Sequence, residues 1–418
     1  MEYRTNSMEP KRQAVSIAQA STVETVGVVS KRGLPGALWA LTISAFGIGT
    51  TEFVIVGLLP TVATDLSISI PSAGLLVSLY AVGVAIGAPV LTALTAKLPR
   101  KLLLISLMVL FIAGNGLASI APGYFSLVLA RIVTGFAHGV FFSIGATIAA
   151  AIVPAEKRAS AIAIMFAGLT IAIVTGVPLG TFIGQHFGWR ATFLGVALLG
   201  VIGLVSSWLL VPNNLKNDNK ASLKSLFKVI ANKHLLLAYL MTALGYGGTF
   251  VAFTYLSPIL QEVSGFSESA VSLILLLYGV AIAIGNIVGG KAANKNPLKA
   301  LLWMFILQAA ILVLFTFTVH HTVWSLITLF ILGGLSFSNV PGLQLYVVQL
   351  AEKHLPGTED VASAFNIASF NLGIALGAWI GGMVVVSPMG IGATPWVGAL
   401  FVVLAIVLTF TSMRLSRK

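Results

Sequence analysis

The sequence predicts an all-α membrane protein with twelve transmembrane helices in two pseudo-symmetric six-helix bundles. Three observations predict it. Of 418 residues, 57% are hydrophobic and 9% charged, against about 25% charged in soluble domains, and mean hydropathy is +1.00. Twelve runs reach the ~20 apolar residues that a spanning helix needs. The second half of the chain also repeats the first at a fixed offset.

The spans lie near 37–60, 72–94, 100–121, 124–152, 158–184, 189–212, 234–258, 268–292, 298–319, 322–349, 360–386 and 394–413. Residues 1–36 form a polar basic tail without the apolar core of a signal peptide. Spans 1–6 fill 37–212 and spans 7–12 fill 234–413, with a linker at 213–233 and a tail at 414–418. Connections such as Ala121-Pro122-Gly123 imply tight helical hairpins. In the linker, Leu223, Leu226 and Phe227 suit either a short helix lying on the membrane or an ordinary connection.

Charge sets the orientation. With the amino terminus inside, the inner loops receive Lys97, Arg100, Lys101, Lys157, Arg158, Lys216, Lys220, Lys224, Lys228, Lys233, Lys291, Lys295, Lys299 and Lys353, while only Arg190 falls near the outer face. This bias places both termini in the cytoplasm. The net charge of +12 lies between apolar runs and does not predict nucleic-acid binding. The chain has no Cys, which excludes disulfides and thiolate sites. HExxH, GxSxG and Walker sequences are absent, and His320-His321 is too small a cluster for a metal site. The chain is not expected to be an enzyme or to hold a cofactor, and without a Walker sequence ATP is not expected to be its energy source.

"LYAVGVAIGAPV" (Leu79–Val90) matches "LYGVAIAIGNIV" (Leu277–Val288) at seven of twelve positions, offset by 198. The same offset carries Lys97, Pro99 and Lys101 onto Lys295, Pro297 and Lys299, Pro60 onto Pro258, and Thr51 onto Thr249. Gly176, Gly180 and Gly184 match Gly373, Gly377 and Gly381 at an offset of 197. Two parallel halves suggest a transporter with its site between them near mid-membrane, exposed alternately by rocking.

The halves differ at Glu52, which maps onto Phe250, and at Arg131, which maps onto Leu329. Neither charge is therefore required by the fold. Glu52 is the only acid deep in a span; the other eleven acidic residues fall in tails, loops or helix ends. At 1.5 Å per residue, Glu52 lies about 12 Å and Arg131 about 10 Å from the outer helix ends, so the two can pair or share a cavity. Ionisable groups inside spans mark ion or substrate pathways; a static ion pair locking helices 1 and 4 is the alternative. Loss of water favours the neutral acid and a nearby guanidinium favours the carboxylate. A carboxyl balanced between them can load a proton on one side and release it on the other. Glu52 is predicted to couple protons, with Arg131 as its partner; alternatively its charge holds a cationic substrate.

These residues resemble the major facilitator superfamily, in particular its twelve-helix drug:H⁺ antiporter branch of sugar-efflux, arabinose-efflux-like and chloramphenicol-efflux members. "TTEFVIVGLLP" resembles the first helix of those members. "LARIVTGFAHGVFFSIGA" (Leu129–Ala146) resembles the fourth-helix Arg-x-x-x-Gly motif, and "GVPLG" resembles the fifth-helix antiporter motif through Gly176, Pro178 and Gly180. "FGWRATF" recurs there too. The loop after helix 2 departs from the family's Gly-x-x-x-Asp-Arg-x-Gly-Arg-Lys pattern. Lys97, Arg100 and Lys101 carry over, but Ala96 holds the aspartate position, so a carboxylate latch is not expected at that face.

The resemblance implies a major facilitator fold whose helices 1, 4, 7 and 10 line the centre. The candidate substrate contacts are His138, seven residues after Arg131 on the same face, Tyr246, Phe250 and Tyr255 as an aromatic wall, and Asn339, Gln344, Asn366 and Asn371 as hydrogen-bonding groups. Polar residues also join helices to one another. A bent helix 5 at Pro178, packed closely through Gly176 and Gly180, is implied to seal the site against proton leak. The expected function is export of drugs, sugars or nucleoside-like metabolites against protons across a bacterial inner membrane, by a monomer in the bilayer. A facilitator or symporter on the same fold is the alternative. A membrane enzyme or sensor would need convergent polar groups or a large soluble module that the sequence lacks.

Overall fold

The computed structural model describes residues 35–68, 70–215, 223–256 and 259–416. Lys216, Lys220, Pro258, Arg417, Lys418 and the basic tail before residue 35 lie outside the described residues. The first half comprises α1 (Gly36–Asp65), α2 (Ile70–Thr95), α3 (Arg100–Ser119), α4 (Tyr124–Ala151), α5 (Arg158–Ile171), α6 (Val177–Phe187) and α7 (Trp189–Leu210). A connecting helix, α8 (Leu223–Ala231), leads to α9 (Lys233–Phe253), α10 (Glu268–Ala293), α11 (Pro297–Thr318), α12 (Thr322–Ser336), α13 (Val340–His354), α14 (Glu359–Val386) and α15 (Thr394–Ser416). Among the described residues, eleven helical stretches are long and apolar enough to cross a membrane, and the shorter apolar stretch Leu79–Thr95 in α2 makes the twelfth. Helices satisfy their own backbone groups, which is what a hydrocarbon solvent demands.

Two of the predicted spans are broken. Span 5 is α5, one π-helical turn at Ala172–Gly176, then α6. Pro178 has no N–H for the carbonyl of Val174 and its ring crowds that carbonyl, so the ladder widens just before it. Span 10 is α12 and α13, interrupted at 337–339; Pro341, near the start of α13, likewise deprives the carbonyl of Phe337. The first helix runs past the end of its predicted span. It continues through Pro60 to Asp65, which leaves Glu52 thirteen residues from the helix end, near mid-helix. The ~12 Å depth is therefore corrected to ~20 Å.

The repeat is visible in side-chain pairs. The Tyr80 hydroxyl lies 3.0 Å from His138 Nδ1, joining α2 to α4. At the offset of 198, the Tyr278 hydroxyl lies 2.9 Å from Ser336 Oγ, joining α10 to α12. Thr51 on α1 donates to Asn115 on α3 at 2.6 Å; its counterpart Thr249 on α9 also bonds an amide, accepting from Gln308 on α11 at 2.7 Å, though Gln308 does not stand at the repeat position of Asn115.

Glycines fix the closest helix contacts. On span 5, a Cβ on Gly176, Gly180 or Gly184 would run into Thr50, Val54 or Leu58 of α1. On α14, one on Gly373, Gly377 or Gly381 would run into the backbone of Ala243, Gly247 or Val251 on α9. Small residues four apart let two backbones touch, the main source of helix association in lipid.

The connecting helix does not simply rest on the membrane. Val229 is fully buried and Leu226 packs on the protein core, while Phe227 points away. Through α8 the linker touches α2 of the first half and α9 and α14 of the second.

Candidate functional site

A central cavity lies between the halves. Glu52, His138, Phe142, Phe166 and Thr170 line it from the first half, and Tyr246, Asn286, Phe337, Phe370 and Asn371 from the second. Glu52 is its only acid. The acid projects from mid-α1, backed by the glycine-packed face of span 5. Its Oε2 lies 3.8 Å from His138 Nδ1, and that same nitrogen meets the Tyr80 hydroxyl.

Arg131 sits behind this group and does not reach Glu52. Among the described residues the pair makes no contact within 4.0 Å. Instead, Arg131 Nη1 donates to the carbonyl of Thr51 at 2.6 Å and the guanidinium stacks 4.1 Å above the Tyr80 ring. Its Nε and Nη2 are buried without hydrogen-bond partners. Depth along two helices does not fix rotation about their axes, and rotation here turns the arginine onto backbone and an aromatic face. A desolvated cation gains about 2 kcal/mol from such a face. Its charge still acts on Glu52 through a water-poor interior.

The other candidate residues divide. Glu52, His138, Tyr246 and Asn371 line the cavity. Phe250, Tyr255, Asn339, Gln344 and Asn366 lie outside its lining. Phe250 lies behind Tyr246, its ring tilted by 48° with centroids 5.0 Å apart. The Tyr255 hydroxyl donates to the carbonyl of Ala378 at 2.9 Å. Asn339 donates to Gln308 at 2.9 Å, Gln344 donates to Ser363, and Asn366 bridges Gln344 and Thr242 at 2.7 and 2.6 Å. These amides join helices. Sequence reasoning missed Tyr80, Asn286 and the aromatic group of Phe142, Phe166, Phe337 and Phe370. Tyr80 and Asn286 both lie in the repeated stretch, at positions where apolar helices carry a polar group.

The face bearing the lysine-rich loops is closed by contacts between the halves. Arg100 donates to Thr147 at 2.8 Å and to Asp360 at 3.1 Å, and Thr147 also donates to Asp360. The latch acid missing at Ala96 is thus supplied across the interface by the first turn of α14, which corrects the expectation of no carboxylate latch. Arg158 Nη1 donates to both carboxylate oxygens of Glu352, at 3.1 and 3.2 Å. Ser363 donates to the carbonyl of Ser143 at 2.6 Å, and Asn286 to that of Ala163 at 2.7 Å. Lys97 is exposed and Lys101 partly so.

In this closed arrangement the cavity offers about 40 Å³ to water. A water needs ~10–15 Å³ by that measure, so the cavity that Glu52 lines holds roughly two to four. Sites for drug-sized ligands are ~300–1,000 Å³. A substrate of that size requires the halves to part.

Comparisons with known proteins agree with this architecture. The Major Facilitator Superfamily model matches residues 41–359. The chain is 54% identical to the MFS-type transporter YtbD of Bacillus subtilis over 93% of this chain and 98% of that one. It is 42% identical to the inner membrane transport protein YdhP of Escherichia coli K12, over 90% and 96% respectively. The solved structure of the transporter FucP in its outward conformation superposes with a TM-score of 0.74 at 16% identity, covering 91% of this chain and 98% of FucP.

Proposed function

The chain belongs to the Major Facilitator Superfamily of membrane transporters, and from that premise we propose that it exports small, largely apolar organic molecules in exchange for protons. The observation that carries this reading is the placement of Glu52, the one acid in a cavity whose walls come from both halves. A proton on Glu52 changes the charge that the opposite half faces. Space for water in the cavity gives the proton a route to the carboxyl, and the guanidinium of Arg131 lies behind it. His138 lies beside the acid, and the Tyr80 hydroxyl meets the same imidazole nitrogen.

The aromatic lining suits apolar, ring-bearing substrates such as drugs better than sugars, with Asn286 and Asn371 supplying orientation. Alternating access follows from rocking of the halves about the cavity, the Arg100–Asp360–Thr147 and Arg158–Glu352 contacts holding the basic end shut in one phase. The positive-inside rule places that end and both termini in the cytoplasm, with the chain acting as a monomer in a bacterial inner membrane. Membrane potential then adds about 2.3 kcal/mol per charge per 100 mV to the exchange.

The test is transport in inverted vesicles over a panel of amphenicols, sugars and nucleosides, with proton flux recorded. Exchange by the parent and loss of coupled transport in Glu52→Gln support the reading. Full coupling of a neutral substrate in Glu52→Gln overturns it. Substrate and proton moving in the same direction would make the chain a symporter.

A further inference from the structure

A second hollow lies on the outer surface of the second half, away from the central cavity. It is a groove of about 690 Å³ between α10, α11 and α12. Its floor lacks side chains, because Gly285 and Gly289 meet the carbonyl oxygens of Gly334 and Ser338 too closely for any Cβ. Ile284 and Val288 form one wall, and Trp303, Leu307 and Ile331 the other. All five are between 46% and 65% exposed, so they face the hydrocarbon. At the basic end the groove is lined by Lys295 and Lys299. Both side chains are exposed, and neither ammonium has an ion-pair partner among the described residues.

The repeat provides an internal comparison. The first half carries the same lysines, Lys97 and Lys101, but its counterparts of Gly289 and Gly334 are Leu91 and Phe136. The Phe136 ring covers Gly87, the counterpart of Gly285. The fold therefore does not require the groove. In the second half the corresponding side chains are missing from its floor.

We propose that this groove binds an anionic glycerophospholipid of the leaflet at the basic end. One acyl chain lies along the glycine floor between the two walls, and the phosphate lies between Lys295 and Lys299. Its volume is that of a site enclosing a small ligand, ~300–1,000 Å³. Trp303 lies one turn beyond Lys299, about 6 Å along the axis, at the level where Trp prefers the headgroup boundary. Each lysine near an anionic headgroup adds roughly fivefold to affinity. The orientation proposed above is used only to name the leaflet as cytoplasmic.

The experiment is native mass spectrometry of the purified full chain in mild detergent, with equal dioleoyl-phosphatidylglycerol and dioleoyl-phosphatidylcholine added. Thermal melting is measured in parallel with each lipid and with inorganic phosphate. The parent should retain phosphatidylglycerol over phosphatidylcholine by more than tenfold and melt higher with it. Lys295→Gln with Lys299→Gln should bring the ratio close to one, whereas Lys97→Gln with Lys101→Gln should leave it at the parent's value. Gly334→Phe, which installs the first half's residue, should lower retention of both lipids; a Cβ at Gly334 meets only the Ala281 carbonyl, at 3.7 Å. If that variant melts poorly, the lysine pairs alone decide. The proposal is overturned if the 295/299 variant keeps the parent's preference. It is equally overturned if the 97/101 variant loses as much, or if phosphate alone reproduces the melting shift.

Discussion

Replacing Asp360 by Asn should open the basic end of the transporter. Asp360 is buried at the start of α14 and accepts from Arg100 at 3.1 Å and from Thr147, with the Arg100 and Asp360 side chains 14% and 5% exposed. Asparagine keeps an acceptor oxygen and the side-chain volume but removes the charge. A hydrogen bond to a charged group contributes about 1.5–3 kcal/mol; outright removal of a partner from a buried pair costs about 3–5 kcal/mol, an upper bound for so conservative a change. About 2 kcal/mol, lost only in the closed form, multiplies the open-to-closed ratio by roughly 30. If the minor form is about 1% populated in the parent, it rises to about one quarter in the variant. The chain has no Cys, so spin labels at Glu156→Cys and Lys353→Cys, exposed residues on the two halves at the basic end, report the separation cleanly. The parent should give one short distance and Asp360→Asn a second, longer one of about a quarter of the total. An unchanged distribution would refute the latch assigned to Asp360.

Three further outcomes follow from the same geometry. Gly176→Val puts atoms into Thr50 and should cost about 1–3 kcal/mol in thermal unfolding, while Gly116→Ala, with open space around it, should not lower the midpoint. Tyr80→Phe strands His138 Nδ1 and should cost about 1–3 kcal/mol as well as altering proton coupling. Its counterpart Tyr278→Phe, which releases only Ser336, should leave coupling intact. Finally, hydrogen bonds from Arg190 and then Trp189 hold the Asp65 carboxyl below its ordinary range. The stabilisation is therefore present above the ordinary carboxylate value and lost as pH falls through the lowered one. Because Asp65 is nearly half exposed, Asp65→Asn should lower stability at neutral pH by no more than about 1 kcal/mol. That gap should close below about pH 4 in melting curves taken across pH.

Much of the fold was legible because a bilayer restricts the chain so strongly. Long apolar runs between basic loops have few arrangements other than spanning helices, and Gly176 and Gly180 marked span 5 for a close helix contact without showing that α1 is the partner. Pro178 marked the place where the hydrogen-bond ladder widens into the π turn, for an equally local reason. What sequence could not show was the partner at long range. Asp360 reads as an ordinary helix-end acid until α14 is brought to Arg100, 260 positions away. Glu52 and Arg131 share a region of the bundle, but helix rotation, which no span count fixes, sends the arginine to Thr51 and Tyr80 and leaves His138 beside the acid. Polarity alone could not separate Asn371, which lines the cavity, from Asn366, which ties α14 to α9 and α13. Both are buried amides in one helix, and five residues of helical turn decide between them.

Proton release on substrate binding, followed with a pH indicator in weakly buffered detergent solution of the purified chain, tests the central role of Glu52 most directly. The account predicts a release of up to about one proton per chain when a transported compound is added to the parent, and none from Glu52→Gln that still binds it. Equal release from both proteins would contradict it.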